Sequence, residues 1–263
     1  MNWFVWINSI LCFKYLIERW LIFYLFSIFA TMKKRISLIL FGLALFFHNQ
    51  SISQSDPDEL GAWYMYVFNT SFNDSQWGFQ GDIQHRNFNL LGDLQQIMLR
   101  GGINYKPKNT PLKLVLGYDN ITTGTQGSSN TIFAENRLYQ ETSFAVKLGK
   151  KIYSNHRFRY ELRYVDDHDT RTRYRYNLFI NIPLKGDAIE AKTTYFAFYN
   201  ELFINGQRNI GRGRSVEFFD RNRLYGAFGY VIRNGLKVQF GLMRQTTNIS
   251  GKNQLQMSFH HSF

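Results

Sequence analysis

From Ser75 to the C-terminus, apolar residues recur at every second position over stretches of about 10 to 15 residues, and no 3.6-residue period lasts more than two turns. Successive side chains of a strand point to opposite faces, so the pattern predicts an all-β protein with one apolar and one polar face per strand. Trp77, Phe79 and Ile83 alternate with Gln76, Gln80, Asp82 and Gln84, and Ile97, Leu99, Ile103 and Tyr105 with Gln96, Arg100 and Asn104. Leu112, Leu114, Leu116 and Tyr118 face away from Lys113, Gly117 and Asp119. The polar faces that follow carry Glu135, Arg137 and Glu141, then Arg157, Arg159, Glu161 and Arg163, then Arg173 and Arg175, then Glu201, and finally Arg221 and Arg223.

Length and polar chemistry choose between architectures. Strands of soluble sandwiches run about 5 to 6 residues, and these are long enough to cross a bilayer at a tilt. Their polar faces hold Arg, Glu, Gln, Asn, Gly and Tyr, which suits a crowded lumen, and Tyr and Phe gather toward strand ends as an interfacial girdle would require. A closed barrel also leaves no backbone group unpaired in lipid. The expected fold is an antiparallel up-and-down transmembrane β-barrel, with a lipocalin-like soluble barrel as the rival. Short connections at 106–111, 149–155 and 233–235 alternate with longer polar ones at 87–94, 121–131, 165–172 and 205–215, as periplasmic turns and external loops do. Residues 61–70 break the pattern, because Trp63, Met65 and Val67 on one face and Tyr64, Tyr66 and Phe68 on the other are all apolar. With both termini expected in the periplasm, the ten clear strands and this one predict an even total of ten or twelve.

The N-terminal segment reads differently. Lys33, Lys34 and Arg35, the apolar run from Ile36 to Phe47, and the polar stretch with small Ser51 and Ser53 make residues 32–53 a cleavable helical signal peptide, with the barrel at 54–263. This run of 12 residues is too short for a membrane anchor, which needs about 20. Residues 1–31 are an apolar leader, read as a mis-assigned start before Met32, the rival being a genuine helical hairpin. The only cysteine, Cys12, lies there, so a mature chain has neither disulfide nor thiol nucleophile. Without residues 1–54 the balance is 26 basic to 18 acidic side chains, still net positive.

By parity, eight arginines and four glutamates point inward: Glu135, Arg137, Glu141, Arg157, Arg159, Glu161, Arg163, Arg173, Arg175, Glu201, Arg221 and Arg223. Guanidinium forks meet carboxylates in pairs, so the set predicts an ion-pair plug, or else an anion-attracting narrow pore. Glu201 is expected to pair with Arg175, or with Arg221 and Arg223. Leu255, Met257, Phe259, His261 and Phe263 share one face of the last strand and end the chain on an aromatic, which resembles the signal read by the outer-membrane assembly machinery.

Several runs resemble a family of bacterial outer-membrane barrels known as domain of unknown function 2490, frequent in Bacteroidetes. They are Glu135-Asn136-Arg137-Leu138-Tyr139-Gln140, Arg157-Phe158-Arg159-Tyr160-Glu161, Arg173-Tyr174-Arg175-Tyr176, Asn200-Glu201-Leu202-Phe203 and Asp220-Arg221-Asn222-Arg223-Leu224-Tyr225-Gly226. The likeness covers roughly residues 60–263 and implies a barrel in the outer membrane of a Gram-negative cell, in contact with lipid and lipopolysaccharide, and no activity.

An enzyme is not expected, and neither is a cofactor, a metal or a nucleic-acid partner. No serine stands at a readable spacing from His85, His156, His260 or His261. Asp166, Asp167, His168 and Asp169 resemble the acid and histidine dyad of omptin proteases, but the opposing acidic pair has only Asp119 as a candidate. A hydrolase with its site at the external mouth is the alternative. Residues 211–214, Gly-Arg-Gly-Arg, resemble a phosphate-binding stretch and equally suit a basic loop over anionic lipid.

Overall fold

The computed structural model describes residues 60–263 apart from 74, 128–130 and 167, so the leader and the signal peptide lie outside the described residues. The described chain contains no helix. Its eleven strands are β1 (Gly61–Ser71), β2 (Trp77–Asn87), β3 (Leu94–Tyr105), β4 (Leu112–Gly124), β5 (Ile132–Leu148), β6 (Ile152–Val165), β7 (Arg171–Pro183), β8 (Thr194–Asn205), β9 (Phe219–Arg233), β10 (Leu236–Thr246) and β11 (Gly251–Ser262). Each pairs antiparallel with its neighbours in sequence, and the sheet closes as a barrel through a parallel pair between β1 and β11.

The all-β barrel and its size agree with the alternation; the expected even number does not. The ambiguous segment 61–70 is a full strand, and an odd run of antiparallel strands can close only through one parallel pair. Gly61 therefore sits beside Gln254 and next to Asn87, at the end that carries the connections 88–93, 125–131 and 206–218. Phe263 leaves at the opposite end, where its amide donates to the Asn69 carbonyl at 3.0 Å. The first and last strands thus have their outer ends on opposite rims.

Connections at the Phe263 rim are mostly tight, with one exception at 184–193. At the turn between β9 and β10, Gly235 has φ 79° and the register shifts just after it, between Leu236 and Lys237. A glycine in the left-handed region beside a bulge gives the hairpin the right-handed twist of its strands.

Burial is inverted relative to a soluble protein. Outward residues such as Leu116 and Phe228 are each 64% exposed, whereas the acid Glu161 on the inner face is 0% exposed. Inside, Tyr195, Tyr199, Tyr225, Met243 and Trp63 pack into one apolar cluster on β8, β9, β10 and β1. Large rings fit inside the barrel where glycines on the neighbouring strands make room. A Cβ on Gly117 would lie 2.2 Å from the Tyr139 ring, and one on Gly229 would lie 2.2 Å from the Tyr195 ring.

Candidate functional site

The twelve charged residues expected inside line or plug the lumen, and the sheet register arranges all of them but Glu135 and Arg221 in rows. One row runs Asp82, Arg100, Asp119, Arg137, Arg163 across β2 to β6. A second runs Glu141, Arg159, Arg175, and a third Glu161, Arg173. A fourth runs Arg157, Asn177, Glu201, Arg223, Gln245 from β6 to β10. The period of two that aims each side chain inward is what places opposite charges side by side.

Each glutamate gathers several guanidiniums. Glu135 accepts from Nε of Arg137 at 2.7 Å and from both Nε and a terminal nitrogen of Arg163, at 2.5 and 3.1 Å. Glu141 accepts two bonds from Arg159, at 2.8 and 2.6 Å, with Arg157 at 3.7 Å. Glu161 takes Arg173 at 2.7 Å and Arg175 at 2.5 Å, and Arg159 and Arg137 stand at 3.8 and 4.0 Å. Glu201 takes Arg157 at 2.6 Å and Arg175 at 2.5 Å, while Arg223 stands at 3.8 Å. Such charge-assisted forks satisfy buried ions that would otherwise be very costly.

Two expectations about Glu201 are thereby sorted. Arg175 and Arg223 are beside it, but Arg221 is not its partner: its Nε binds Asp220 at 3.1 Å. The reason is a bulge. The register slips between Phe203 and Ile204 opposite residues 219–221, leaving Asp220 as an extra residue on β9. Asp220 then reaches Arg173 at 2.9 Å, so two successive residues serve the lumen and strict parity fails.

Sequence parity also left out members of the network. Asp82 and Arg100 are 2.8 Å apart inside the barrel, and Asp119 lies fully buried with Arg159 at 3.9 Å. Arg86 stacks on Trp63, its guanidinium carbon 3.8 Å from the ring centroid. Phe203 is buried beneath Arg175 at 4.5 Å, Arg223 at 4.7 Å and Arg173 at 5.2 Å, so an aromatic residue serves as a platform for cations. The signal for Asp82 and Arg100 was present in the alternation; nothing in it marks a ring as a partner for arginine.

The hydrolase candidates fare differently. Asp119, the proposed opposing acid, sits in the lumen wall rather than at the mouth. Nδ1 of His168 lies 2.9 Å from the Asp166 carbonyl, a local contact, and Asp167 is outside the described residues. The amides of Gly211 and Arg214 are engaged within their own loop, donating to Asn209 Oδ1 and to the Gly211 carbonyl. The sequence reading found no serine near a histidine, yet Ser258 Oγ and His260 Nε2 are 2.9 Å apart, two residues along the inner face of β11. Ser258 is fully buried, and the register neighbour of His260 is Lys237, not an acid. Among the described residues no group of His, Cys, Asp and Glu is arranged to hold a metal ion.

Phe259 lies on the outer face of β11 and Phe263 just beyond the strand's end, 38% and 70% exposed. The Tyr66 hydroxyl lies 2.9 Å from His261 Nδ1, and the Phe263 ring lies 4.0 Å from that of His261.

Two chambers remain between these side chains. One, of about 440 Å3, opens toward the rim of the longer loops and is walled by nine arginines against Asp82, Glu135 and Glu201. The other, of about 420 Å3, lies toward the Phe263 rim and is walled by Lys113, Lys237, Glu141 and His260 among others. Arg157, Phe179, Tyr199 and Gln239 border both.

Comparison with known proteins gives a family and no activity. No curated protein and no solved structure matched the chain. A family model described as "Protein of unknown function (DUF2490)" matches residues 60–256, the span of the barrel from before β1 into β11, so the chain belongs to the DUF2490 family.

Proposed function

We propose that this protein is a non-enzymatic outer-membrane barrel, exported by its signal peptide, whose lumen is held shut at rest by arginine and carboxylate ion pairs. The observation that carries the reading is the inverted burial: large apolar side chains outside and paired ions inside, the distribution a barrel needs when its solvent is lipid. Aromatic pairs near both rims, Trp77 with Tyr105 at 4.7 Å and Tyr160 with Tyr174 at 5.3 Å, fit interfacial girdles against lipid and lipopolysaccharide. The terminal aromatic face of Phe259 and Phe263 fits recognition by the assembly machinery.

The test is refolding into liposomes followed by single-channel recording. The expected result is a membrane-inserted, heat-modifiable barrel that conducts little, and in which Glu201→Gln raises anion conductance. Failure to insert would overturn the membrane half, and a steady wild-type conductance would overturn the closed lumen. Deleting Phe263 should lower the yield of folded protein in the outer membrane; normal yield would remove the role assigned to that residue.

A further inference from the structure

We infer that the chamber at the loop rim is a binding site for a small multivalent oxyanion, held by Arg86 and Arg223 beside Trp63. The inference rests on the lumen half of the proposed function and not on insertion into a membrane.

The walls are short of negative charge. Nine arginines line the chamber with three carboxylates; seven of them are paired, Arg100 with Asp82, Arg137 and Arg163 with Glu135, Arg157 and Arg175 with Glu201, and Arg173 and Arg221 with Asp220 behind the wall, so the shortfall falls on Arg86 and Arg223. Arg86 is 7% exposed and, among the described residues, has no carboxylate within ion-pair distance. Its terminal nitrogens donate to the neutral Gln84 and Gln96 at 2.7 Å, and its Nε has no partner. Arg223 is in a similar state. Its Nε donates to Gln245 at 2.9 Å, and its one nearby carboxylate, Glu201, is 3.8 Å away and shared. Nε of Arg157, on the chamber wall, makes no hydrogen bond and lies 3.7 Å from Glu141.

A buried guanidinium without a counter-charge is expensive, and the sequence could have relieved it with acids on β10, β11 and β1. Those strands instead present Gln245, Gln254, Gln256 and Trp63 to the chamber. Glutamines can donate to an oxyanion without neutralising the arginines, which leaves Arg86 and Arg223 without a carboxylate of their own. Trp63 fixes the two key guanidiniums, with Arg86 at 3.8 Å and Arg223 at 5.0 Å from its ring centroid, so their forks are held before a ligand arrives. The volume, about 440 Å3, suits a small molecule. Phosphate and carboxylate groups both match a guanidinium fork, and two under-paired guanidiniums on one ring favour a ligand with more than one such group.

The experiment is isothermal titration calorimetry on the detergent-solubilised barrel with inorganic pyrophosphate and with citrate, and with sodium chloride at matched ionic strength. Binding of pyrophosphate is expected for a phosphate-type site and of citrate for a carboxylate-type site; binding of either supports the inference. Arg86→Gln and Arg223→Lys should each weaken it about tenfold or more, the second because lysine keeps the charge and loses the fork. Lys113→Gln, in the other chamber, should leave it unchanged. Absence of binding by both probes, equal heat from chloride, or unchanged affinity in the arginine variants would overturn the site. If Arg86→Gln does not fold, Arg223→Lys decides alone. Conductance reports on the closed lumen separately, so the two readings fail by different measurements.

Discussion

The lumen wall formed by β2 to β9 and the wall formed by β10, β11 and β1 line the same interior with different chemistry. The first holds the rows of arginine and carboxylate, in which every glutamate serves at least two guanidiniums. The second meets it mostly with Gln239, Met243, Gln245, Gln254, Gln256 and Ser258, with Lys237 and His260 near the Phe263 rim, and across the parallel pair Trp63 stands opposite Gln256 and Met65 opposite Ser258. Charged rows bear on register, since a slip of two residues between β2 and β3 would take Asp82 from Arg100 and set it beside Met98 or Gly102. Neutral amides, thioethers and rings tolerate shifts of alignment, and they occupy the one place where strands pair in the weaker parallel sense. The barrel thus puts its strictest pairing where neighbours follow one another in sequence and its most forgiving lining at the junction of the chain's two ends.

The sharpest way to break this contrast is Glu161→Gln. Glu161 is fully buried among four arginines, and losing its charge should cost about 3 to 5 kcal/mol in urea unfolding of the refolded barrel. A change below 1 kcal/mol would mean the charged wall does not govern stability. Next is Gly229→Ala, where the new methyl would meet the Tyr195 ring at 2.2 Å; overpacking of this kind costs about 1 to 3 kcal/mol and should be relieved in a double variant with Tyr195→Ala. On the forgiving wall, Met243→Leu should shift the same midpoint by less than about 1.5 kcal/mol although Met243 is as buried as Phe203. The smallest effect belongs to Arg208→Ala. Its partner Glu217 is 2.9 Å away, but both side chains are more than half exposed, so the loss should stay within about 1 kcal/mol and shrink with salt. A larger effect there than at Glu161 would invert the comparison.

Alternation made the strands, their lengths and the inward set of Arg and Glu legible, because parity acts residue by residue. It did not reveal who sits beside whom in space. Asp82 and Arg100 were visible on polar faces yet joined to the network only by the register of β2 with β3. Asp220 escaped because a bulge breaks the period of two, and Phe203 because a ring under arginines looks like any core aromatic. The strand count failed at parity for a related reason. Both faces of β1 are apolar because its inner face joins the forgiving wall, and periodicity carries no information on whether first and last strands run alike.

The parallel pair between β1 and β11 has a consequence for how the molecule forms. Every other pairing joins strands adjacent in sequence and can zip from its own turn, but Gly61 meets Gln254 only when almost the whole barrel chain is in place. Bringing such distant segments together costs about 3 kcal/mol more in chain entropy than closing a short hairpin. Closure is therefore the last event, and until it happens the curled sheet exposes two free edges, each a template for pairing with another molecule. A chain that lacks β11 has no partner for β1 in this register, so both edges would stay open to whatever meets them first.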